Sequence, residues 1–147
     1  MRVQEVMTRD PCCVTPDASV SEAALVMQRE NTGAIPVVDA EDSKRLVGIL
    51  TDRDIAIRVV AESRDGNTTV SEIMSASGLA TCGPDADIDE VMNTMAREQV
   101  RRIPVVDERG SLIGIVAQAD IVRKSNDASK AQRTVSQISE PSRRHSQ

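Results

Sequence analysis

The pentapeptide Ile35-Pro36-Val37-Val38-Asp39 occurs twice in this chain of 147 residues, the second time as Ile103-Pro104-Val105-Val106-Asp107. The similarity extends toward the N-terminus, since 13 of the 28 positions at 16–43 are identical to those 68 places later, at 84–111. It also extends toward the C-terminus once a two-residue insertion in the first half is allowed for. Such self-similarity indicates two occurrences of one supersecondary unit, called copy 1 and copy 2 below.

Each copy has an amphipathic helix pattern before the pentapeptide. Apolar residues recur at the i, i+3, i+4, i+7 spacing of one buried helix face, at Val20, Ala23, Ala24 and Met27 in copy 1 and at Ile88, Val91, Met92 and Met95 in copy 2. A capping-box spacing opens both helices, with Ser19 before Glu22 and Asp87 before Glu90.

Two short β-branched runs follow each helix, at 35–38 and 46–50 in copy 1 and at 103–106 and 112–116 in copy 2. Second helices are predicted to start near Thr51 and Ala117. With a short strand at the start of each copy, the sequence predicts the order strand, helix, strand, strand, helix twice over. The fold class is therefore α/β (α+β), with two β-α-β-β-α repeats.

A unit of this size buries too little surface to be stable alone, so the two copies are expected to pack against each other. We place copy 1 at residues 1–62, a linker at 63–69 and copy 2 at 70–124. A polar tail at 125–147 is expected to be disordered or to form one short helix. The functional question then concerns the cleft between the copies.

The composition excludes several classes of function. With 23 acidic against 18 basic residues, a net charge of −5 and no Phe, Tyr or Trp, the chain lacks both a basic surface and base-stacking side chains. We therefore expect no nucleic-acid partner. His145 is the only histidine, which leaves no Ser-His, Cys-His or His-based metal constellation. We predict no catalytic residue, no metal site and no enzymatic activity.

The cysteines Cys12, Cys13 and Cys82 are an odd number in a chain too long to need disulfides for stability, which favours reduced thiols and a cytoplasmic protein. No apolar run approaches the roughly 18 residues of a membrane span, and residues 1–5 lack the apolar core of a signal peptide, so we expect no membrane partner. Packing roles are predicted for the cysteines, with a thiol-based redox protein as the third functional hypothesis.

Two further stretches recur beside the pentapeptide. Val6-Met7-Thr8 corresponds to Ile73-Met74-Ser75, and Gly48-Ile49-Leu50-Thr51-Asp52-Arg53-Asp54 corresponds to residues 114–120. With these motifs each copy resembles the CBS domain, and the pair resembles a small stand-alone Bateman module of the bacterial type. The resemblance implies two repeats packed with pseudo-two-fold symmetry and a regulatory role. It implies AMP, ADP or ATP as ligand, with S-adenosylmethionine or NAD as further candidates, and no required cofactor.

The stretch at 48–54 carries groups that suit a nucleotide. Gly48 would let a ligand approach the strand backbone, Thr51 places a hydroxyl at a helix start, and the Asp54 carboxylate can accept hydrogen bonds from two vicinal ribose hydroxyls. The N-terminus of the helix would favour a phosphate. The same Thr51-x-x-Asp54 spacing also fits a capping box that needs no ligand, and both interpretations stay open.

The resemblance further implies composite clefts, in which the Gly-to-Asp stretch of one copy faces the residues before the Pro-Val-Val strand of the other. Arg102 would then contact a phosphate, although Arg101 and Arg102 also fit a solvated charged edge. The predicted main site comprises Gly48, Ile49, Thr51, Asp54, Val100, Arg101, Arg102, Ile103 and Pro104. The weaker cleft comprises Thr32, Gly33, Ala34, Ile115 and Asp120; it has no cation, and Ala117 replaces the threonine.

The leading functional hypothesis is a sensor of energy or metabolite state that binds an adenosine nucleotide and acts on an unidentified regulated protein. The helix at 54–61 carries more apolar residues than one face can bury, which predicts a homodimer. The alternative is a ligand-free dimerisation or protein-interaction module, in which Thr51 and Asp54 only cap a helix.

Overall fold

The structure is a computed structural model that describes the backbone of residues 1–133 and the side chains of residues 1–127. The predicted tail at 125–147 falls largely outside the described residues, and its first part continues the last helix as far as Arg133. Within residues 1–133 no helix combines the length and the apolar character needed to cross a membrane.

Copy 1 contains a 3-10 turn at Val3–Glu5, β1 at Thr8–Arg9, α1 at Val20–Glu30, β2 at Ala34–Val38, β3 at Leu46–Thr51 and α2 at Asp52–Ile55, which continues as a π-helical turn at Ala56–Val60. Copy 2 contains α3 at Val70–Ile73, α4 at Ile88–Glu98, β4 at Arg102–Val106, β5 at Leu112–Ala117 and α5 at Gln118–Arg133. The predicted α+β fold class is confirmed. Copy 2 opens on a short helix rather than on the predicted strand.

The first long helix of each copy forms where the periodicity predicted it. In α1 the Ser19 side chain accepts a hydrogen bond from the Glu22 amide at 3.1 Å. In α4 the Asp87 carboxylate instead accepts from the Asp89 amide at 2.8 Å, because an aspartate at the N-cap also reaches the second helical residue. The buried face of α1 consists of Val20, Ala23 and Met27, so the stripe is narrower than predicted and leaves Ala24 exposed.

The strands form two antiparallel hairpins with the same register. Pro36 lies opposite Ile49 in copy 1, and Pro104 lies opposite Ile115 in copy 2. Each hairpin has a register shift at the same place, before Val38 and before Val106. The repeated sequence therefore folds into repeated backbone geometry.

The two copies exchange their leading segments, defined here as residues 3–9 of copy 1 and residues 70–75 of copy 2. β1 pairs antiparallel with β5 of copy 2, with Thr8 opposite Ile115. In the same way, Ser75 pairs with Ile49 of copy 1 through two hydrogen bonds, both of 2.9 Å. The repeat pattern alone could not predict this exchange, because periodicity locates a strand without naming its partner.

The hydrophobic cores follow the same exchange. Val70 and Ile73, from the leading segment of copy 2, are buried in the core of copy 1 with Val20, Ala23, Met27, Ile35, Val37, Leu50 and Val59. Val3 and Val6, from the leading segment of copy 1, are buried in the core of copy 2 with Ile88, Val91, Met95, Ile103, Val105, Val116 and Ile121. Each core is therefore completed by side chains that come from the other copy.

The glycine of each Gly-to-Asp stretch makes this exchange possible. A Cβ on Gly48 would stand 2.6 Å from Met74 Sδ and 3.0 Å from the Ser75 carbonyl oxygen. A Cβ on Gly114 would meet Met7 Sδ at 2.6 Å and the Thr8 carbonyl oxygen at 3.0 Å. The face of Gly48 that was expected to admit a ligand is thus covered by the leading segment of copy 2.

The hairpin turns also meet across the pseudo-two-fold axis. The Leu46 amide donates to the Gly110 carbonyl at 3.0 Å, and the Leu112 amide donates to the Lys44 carbonyl at 2.7 Å. These contacts join equivalent positions of the two copies. The two-residue insertion of copy 1 lies at this contact.

Candidate functional site

The side chains of Thr51 and Asp54 form a reciprocal cap at the start of α2. Thr51 Oγ1 accepts from the Asp54 amide at 3.1 Å, and Asp54 Oδ2 accepts from the Thr51 amide at 3.0 Å. Both side chains are half-buried. The capping box that the spacing predicted is therefore present, and it engages only one carboxylate oxygen of Asp54.

The loop before β2 packs beside this Thr51/Asp54 cap. Ala34 lies opposite Thr51 in the hairpin, and the Asp52 amide donates to the Gly33 carbonyl at 2.9 Å. The Asp52 carboxylate also lies against Gly33, since a Cβ at that position would stand 2.8 Å from Asp52 Oδ2. Gly33 and Ala34, predicted for the weaker cleft, thus lie next to the Thr51/Asp54 cap in their own copy.

This end of copy 1 is acidic at the first turn of α2. Asp52 and Asp54 both belong to that turn, so the positive end of the helix already faces two carboxylates. Arg53 lies between them, so this turn carries two negative charges and one positive charge. The attraction of a phosphate to this helix start stays a prediction, and the two carboxylates act against it.

The equivalent end of copy 2 carries the cations. Arg102 lies opposite Ala117 in the hairpin, and the Gln118 amide donates to the Arg101 carbonyl at 2.8 Å. Both arginine side chains are exposed. Asp120 forms an ion pair with Arg123 at 3.1 Å, so its carboxylate is already engaged by a cation.

The predicted main site draws its residues from both of these ends. Val100 is 37% exposed, Ile49 is half-buried, and Ile103 and Pro104 are buried. Among residues 1–127, no hydrogen bond or ion pair joins the Thr51/Asp54 cap to residues 100–104. The repeats meet instead through their hairpin turns and leading segments, and the composite cleft remains a prediction.

Two groups beside the candidate site were not predicted from the sequence. Met74 and Ser75 cover Gly48, and Asp52 covers Gly33. The repeated apolar-Met-Thr/Ser motif marked the leading segments but gave no indication that they cross to the other copy. Asp52 is exposed at the first turn of α2, and its position in the sequence does not indicate the contact with Gly33.

A separate groove of about 560 Å³ lies beside α1, and Cys12 and Cys13 are among its lining residues, whereas Thr51 and Asp54 are not. Burial raises the pKa of the Cys13 thiol, and the nearby Lys44 partly offsets the rise. Cys82 is not among the residues that line this groove. Burial raises the pKa of its thiol to about 11, which leaves little reactive thiolate near neutral pH. The groove is lined by Asp10, Pro11, Cys12, Cys13, Val14, Thr15, Ala18, Glu22, Val26, Val38, Glu41 and Lys44.

Comparison with known proteins agrees with the repeat and the fold. The family model of the CBS domain matches residues 3–61 and 70–127. The chain is 44% identical over 119 residues to the CBS domain-containing protein YhcV of Bacillus subtilis, and this match covers 81% of each chain. The similarity therefore spans both copies.

Solved structures give the same result. Hypoxic Response Protein I with two coordinated zinc ions matches with a TM-score of 0.75 at 36% identity, over 84% of this chain and 98% of that one. Among the residues described here, no group of three or more His, Cys, Asp or Glu is placed to hold a metal ion.

The CBS domain pair of protein MJ0100, in complex with 5′-methylthioadenosine and S-adenosyl-L-methionine, matches with a TM-score of 0.76 at 30% identity. The match covers 87% of this chain and 98% of that one. The sequence repeat, the paired hairpins and these relatives agree, and the chain belongs to the CBS domain family, of which it carries two copies.

Proposed function

We propose that this CBS pair is a regulatory module that binds an adenosine nucleotide, AMP, ADP or ATP, in a cleft between the two copies. The observation that carries the proposal is the half-buried Thr51/Asp54 cap, which keeps one Asp54 carboxylate oxygen available as an acceptor. A ribose offers two vicinal hydroxyl donors to such a group. The MJ0100 CBS pair supports the ligand class, since both of its ligands contain adenosine.

The charge distribution suggests how a nucleotide would be oriented. Ribose hydroxyls suit the carboxylate of Asp54, whereas phosphate oxygens suit the exposed guanidinium groups of Arg101 and Arg102. Because Asp52 and Asp54 repel anions at the start of α2, the phosphate should point toward copy 2. Gly48 acts indirectly, by admitting the segment that holds β3 in place.

The adenine base has no aromatic side chain to stack on, because the chain contains no Phe, Tyr or Trp. We expect aliphatic surfaces and peptide groups to hold the base instead. Ile49 and Val100 offer accessible apolar surface for this purpose, whereas Ile103 and Pro104 are buried. S-Adenosylmethionine and NAD also contain an adenosyl group, so they are included in the thermal unfolding experiment described below.

The opposite cleft is proposed to bind ligand weakly. Ala117 supplies no hydroxyl, and one carboxylate oxygen of Asp120 is paired with the cationic Arg123. The remaining candidates are Gly33, Ala34 and Ile115. We therefore expect one nucleotide for each chain at moderate concentration.

Regulation would follow from linkage. A ligand that contacts both copies favours one relative orientation by its difference in affinity for the alternatives, and a partner protein responds to that orientation. We expect the module to be cytoplasmic and non-catalytic. A homodimer is expected because Leu25, Ile57 and Val60 leave 62%, 46% and 69% of their surfaces exposed. The same exposed residues, together with a cap satisfied without ligand, favour the alternative of a ligand-free interaction module.

Thermal unfolding with and without nucleotide separates these two functions. AMP at 100 times its dissociation constant should stabilise the native protein by about 2.7 kcal/mol. The variant Asp54→Asn keeps an oxygen acceptor for the helix cap but removes the carboxylate charge, so it should lose most of the AMP-induced shift. The matched variant Asp120→Asn should retain the shift.

Equal loss of the shift in both variants would refute the assignment of the main site to copy 1. Absence of any shift with AMP, ADP, ATP, S-adenosylmethionine or NAD would favour the ligand-free interaction module. Unfolding of each variant without ligand serves as the baseline, because loss of a helix cap costs about 0.5–2 kcal/mol on its own.

A further inference from the structure

Arg58 links the helix of the candidate site to the leading segment of copy 2. Its Nη1 donates to the Ile73 carbonyl at 3.1 Å in a partly buried hydrogen bond. We propose that Arg58 is a positioning residue that couples the Thr51/Asp54 cap to the leading segment of copy 2, an inference that rests on the proposed function. Arg58 itself would not contact the nucleotide.

The contacts form a closed path that starts and ends beside the Thr51/Asp54 cap. The helix that begins at the cap continues to Arg58, whose side chain donates a hydrogen bond to the Ile73 carbonyl. The next two residues contact β3: Met74 packs on Gly48, and Ser75 exchanges two hydrogen bonds of 2.9 Å with Ile49. A displacement of the cap by a ligand must therefore be accommodated at both ends of the segment at 73–75.

Other contacts hold the same two elements together. Val59 is buried in one cluster with Val70 and Ile73. Arg64, in the linker that follows the helix, forms an ion pair with Glu72 of the leading segment. The helix is wound as a π turn at Ala56–Val60, with the Ala61 amide donating to the Ala56 carbonyl at 2.9 Å. Such turns are rare and occur frequently at functional sites. Arg58 is the central residue of this turn.

Copy 2 lacks this connection. The residue equivalent to Arg58 is Lys124, and both side chains are exposed. Within residues 1–127 no hydrogen bond or ion pair is formed by the Lys124 side chain, and α5 runs through this position as a regular helix. The coupling is therefore one-sided and belongs to the copy that carries the intact Thr51/Asp54 cap.

Hydrogen exchange of the full chain, read at individual amides, tests this coupling with Arg58→Met and the matched control Lys124→Met. Without ligand, Arg58→Met should raise exchange of the Ser75 and Ile49 amides about tenfold, and Lys124→Met should leave them unchanged. With AMP, the wild type should gain protection at 73–75, and Arg58→Met should lose that gain. Arg58→Lys keeps a hydrogen-bond donor and should retain part of the AMP-induced protection at 73–75.

Unchanged exchange at Ser75 and Ile49 in Arg58→Met would overturn the proposal, and so would an equal rise in Lys124→Met. Failure of the wild type to bind AMP would instead refute the proposed function, and the ligand-free comparison would still decide whether Arg58 joins the two elements. Should Arg58→Met fold poorly, Arg58→Ala, which also lacks a donor, gives the decision with the same exchange measurement. Full protection at 73–75 in a variant without any donor at position 58 would contradict the role.

Discussion

A chain that lacks residues 1–9 is expected to lose the cooperative folding of copy 2, although every deleted residue belongs to copy 1. Val3 is fully buried and Val6 is 6% exposed in the core of copy 2. Burial of each valine contributes about 1.5–3 kcal/mol. Together they supply a large part of the roughly 5–15 kcal/mol that separates folded from unfolded states in typical domains.

The backbone of the same segment adds to this effect. The Val3 amide donates to the Ala86 carbonyl at 2.9 Å, and the Gln4 amide donates to the Pro84 carbonyl at 3.0 Å. Loss of β1 also uncovers one edge of β5. Urea denaturation of the truncated chain should show a lower midpoint or a broad transition, with exchange protection lost first around Ile103 and Val116.

Point variants separate a packing effect from a length effect. In the full chain, Val3→Asp should reproduce most of the loss because it buries an unpaired charge. The neighbouring variant Gln4→Asp should have little effect, since Gln4 is exposed. A truncated chain as stable as the wild type would contradict the exchange of leading segments.

The second large effect is expected at the two glycines that receive these segments. Gly48→Ala should destabilise the protein because its Cβ would lie 2.6 Å from Met74 Sδ and 3.0 Å from the Ser75 carbonyl oxygen. Gly114→Ala should do the same through Met7 and Thr8. Overpacking of this kind costs about 1–3 kcal/mol.

Double-mutant cycles identify the partners of each glycine. Met74→Ala should relieve part of the penalty of Gly48→Ala, and Met7→Ala should relieve part of the penalty of Gly114→Ala, with coupling energies of about 0.5–3 kcal/mol. The crossed combinations, Met7→Ala with Gly48→Ala and Met74→Ala with Gly114→Ala, should be additive. Coupling in the crossed pairs, or additivity in all four, would contradict the described packing.

Much of this fold could be predicted because the sequence repeats. The helix periodicity located α1 and α4, and the duplicated Ile-Pro-Val-Val-Asp stretch located β2 and β4. The spacing of Thr51 and Asp54 predicted their reciprocal hydrogen bonds. These features depend on residues close together in the chain, where local geometry and capping chemistry determine the outcome.

The exchange of leading segments and the role of Gly48 could not be predicted in this way. Both depend on contacts between residues such as Gly48 and Met74 that are distant in the sequence and belong to different copies. A glycine in a strand indicates close approach by some group but does not say whether that group is a ligand or the protein itself. The hairpin registers add that Ala34 lies opposite Thr51 and that Arg102 lies opposite Ala117, at the equivalent end of copy 2.

Equilibrium dialysis against AMP measures the proposed nucleotide binding without any other readout. Because the chain has no Phe, Tyr or Trp, absorbance near 260 nm after dialysis reports bound adenine almost without a protein contribution. Binding of AMP should be saturable, should approach one AMP per chain and should be lost in Asp54→Asn. No excess of AMP on the protein side of the membrane at millimolar free nucleotide would contradict the proposed binding.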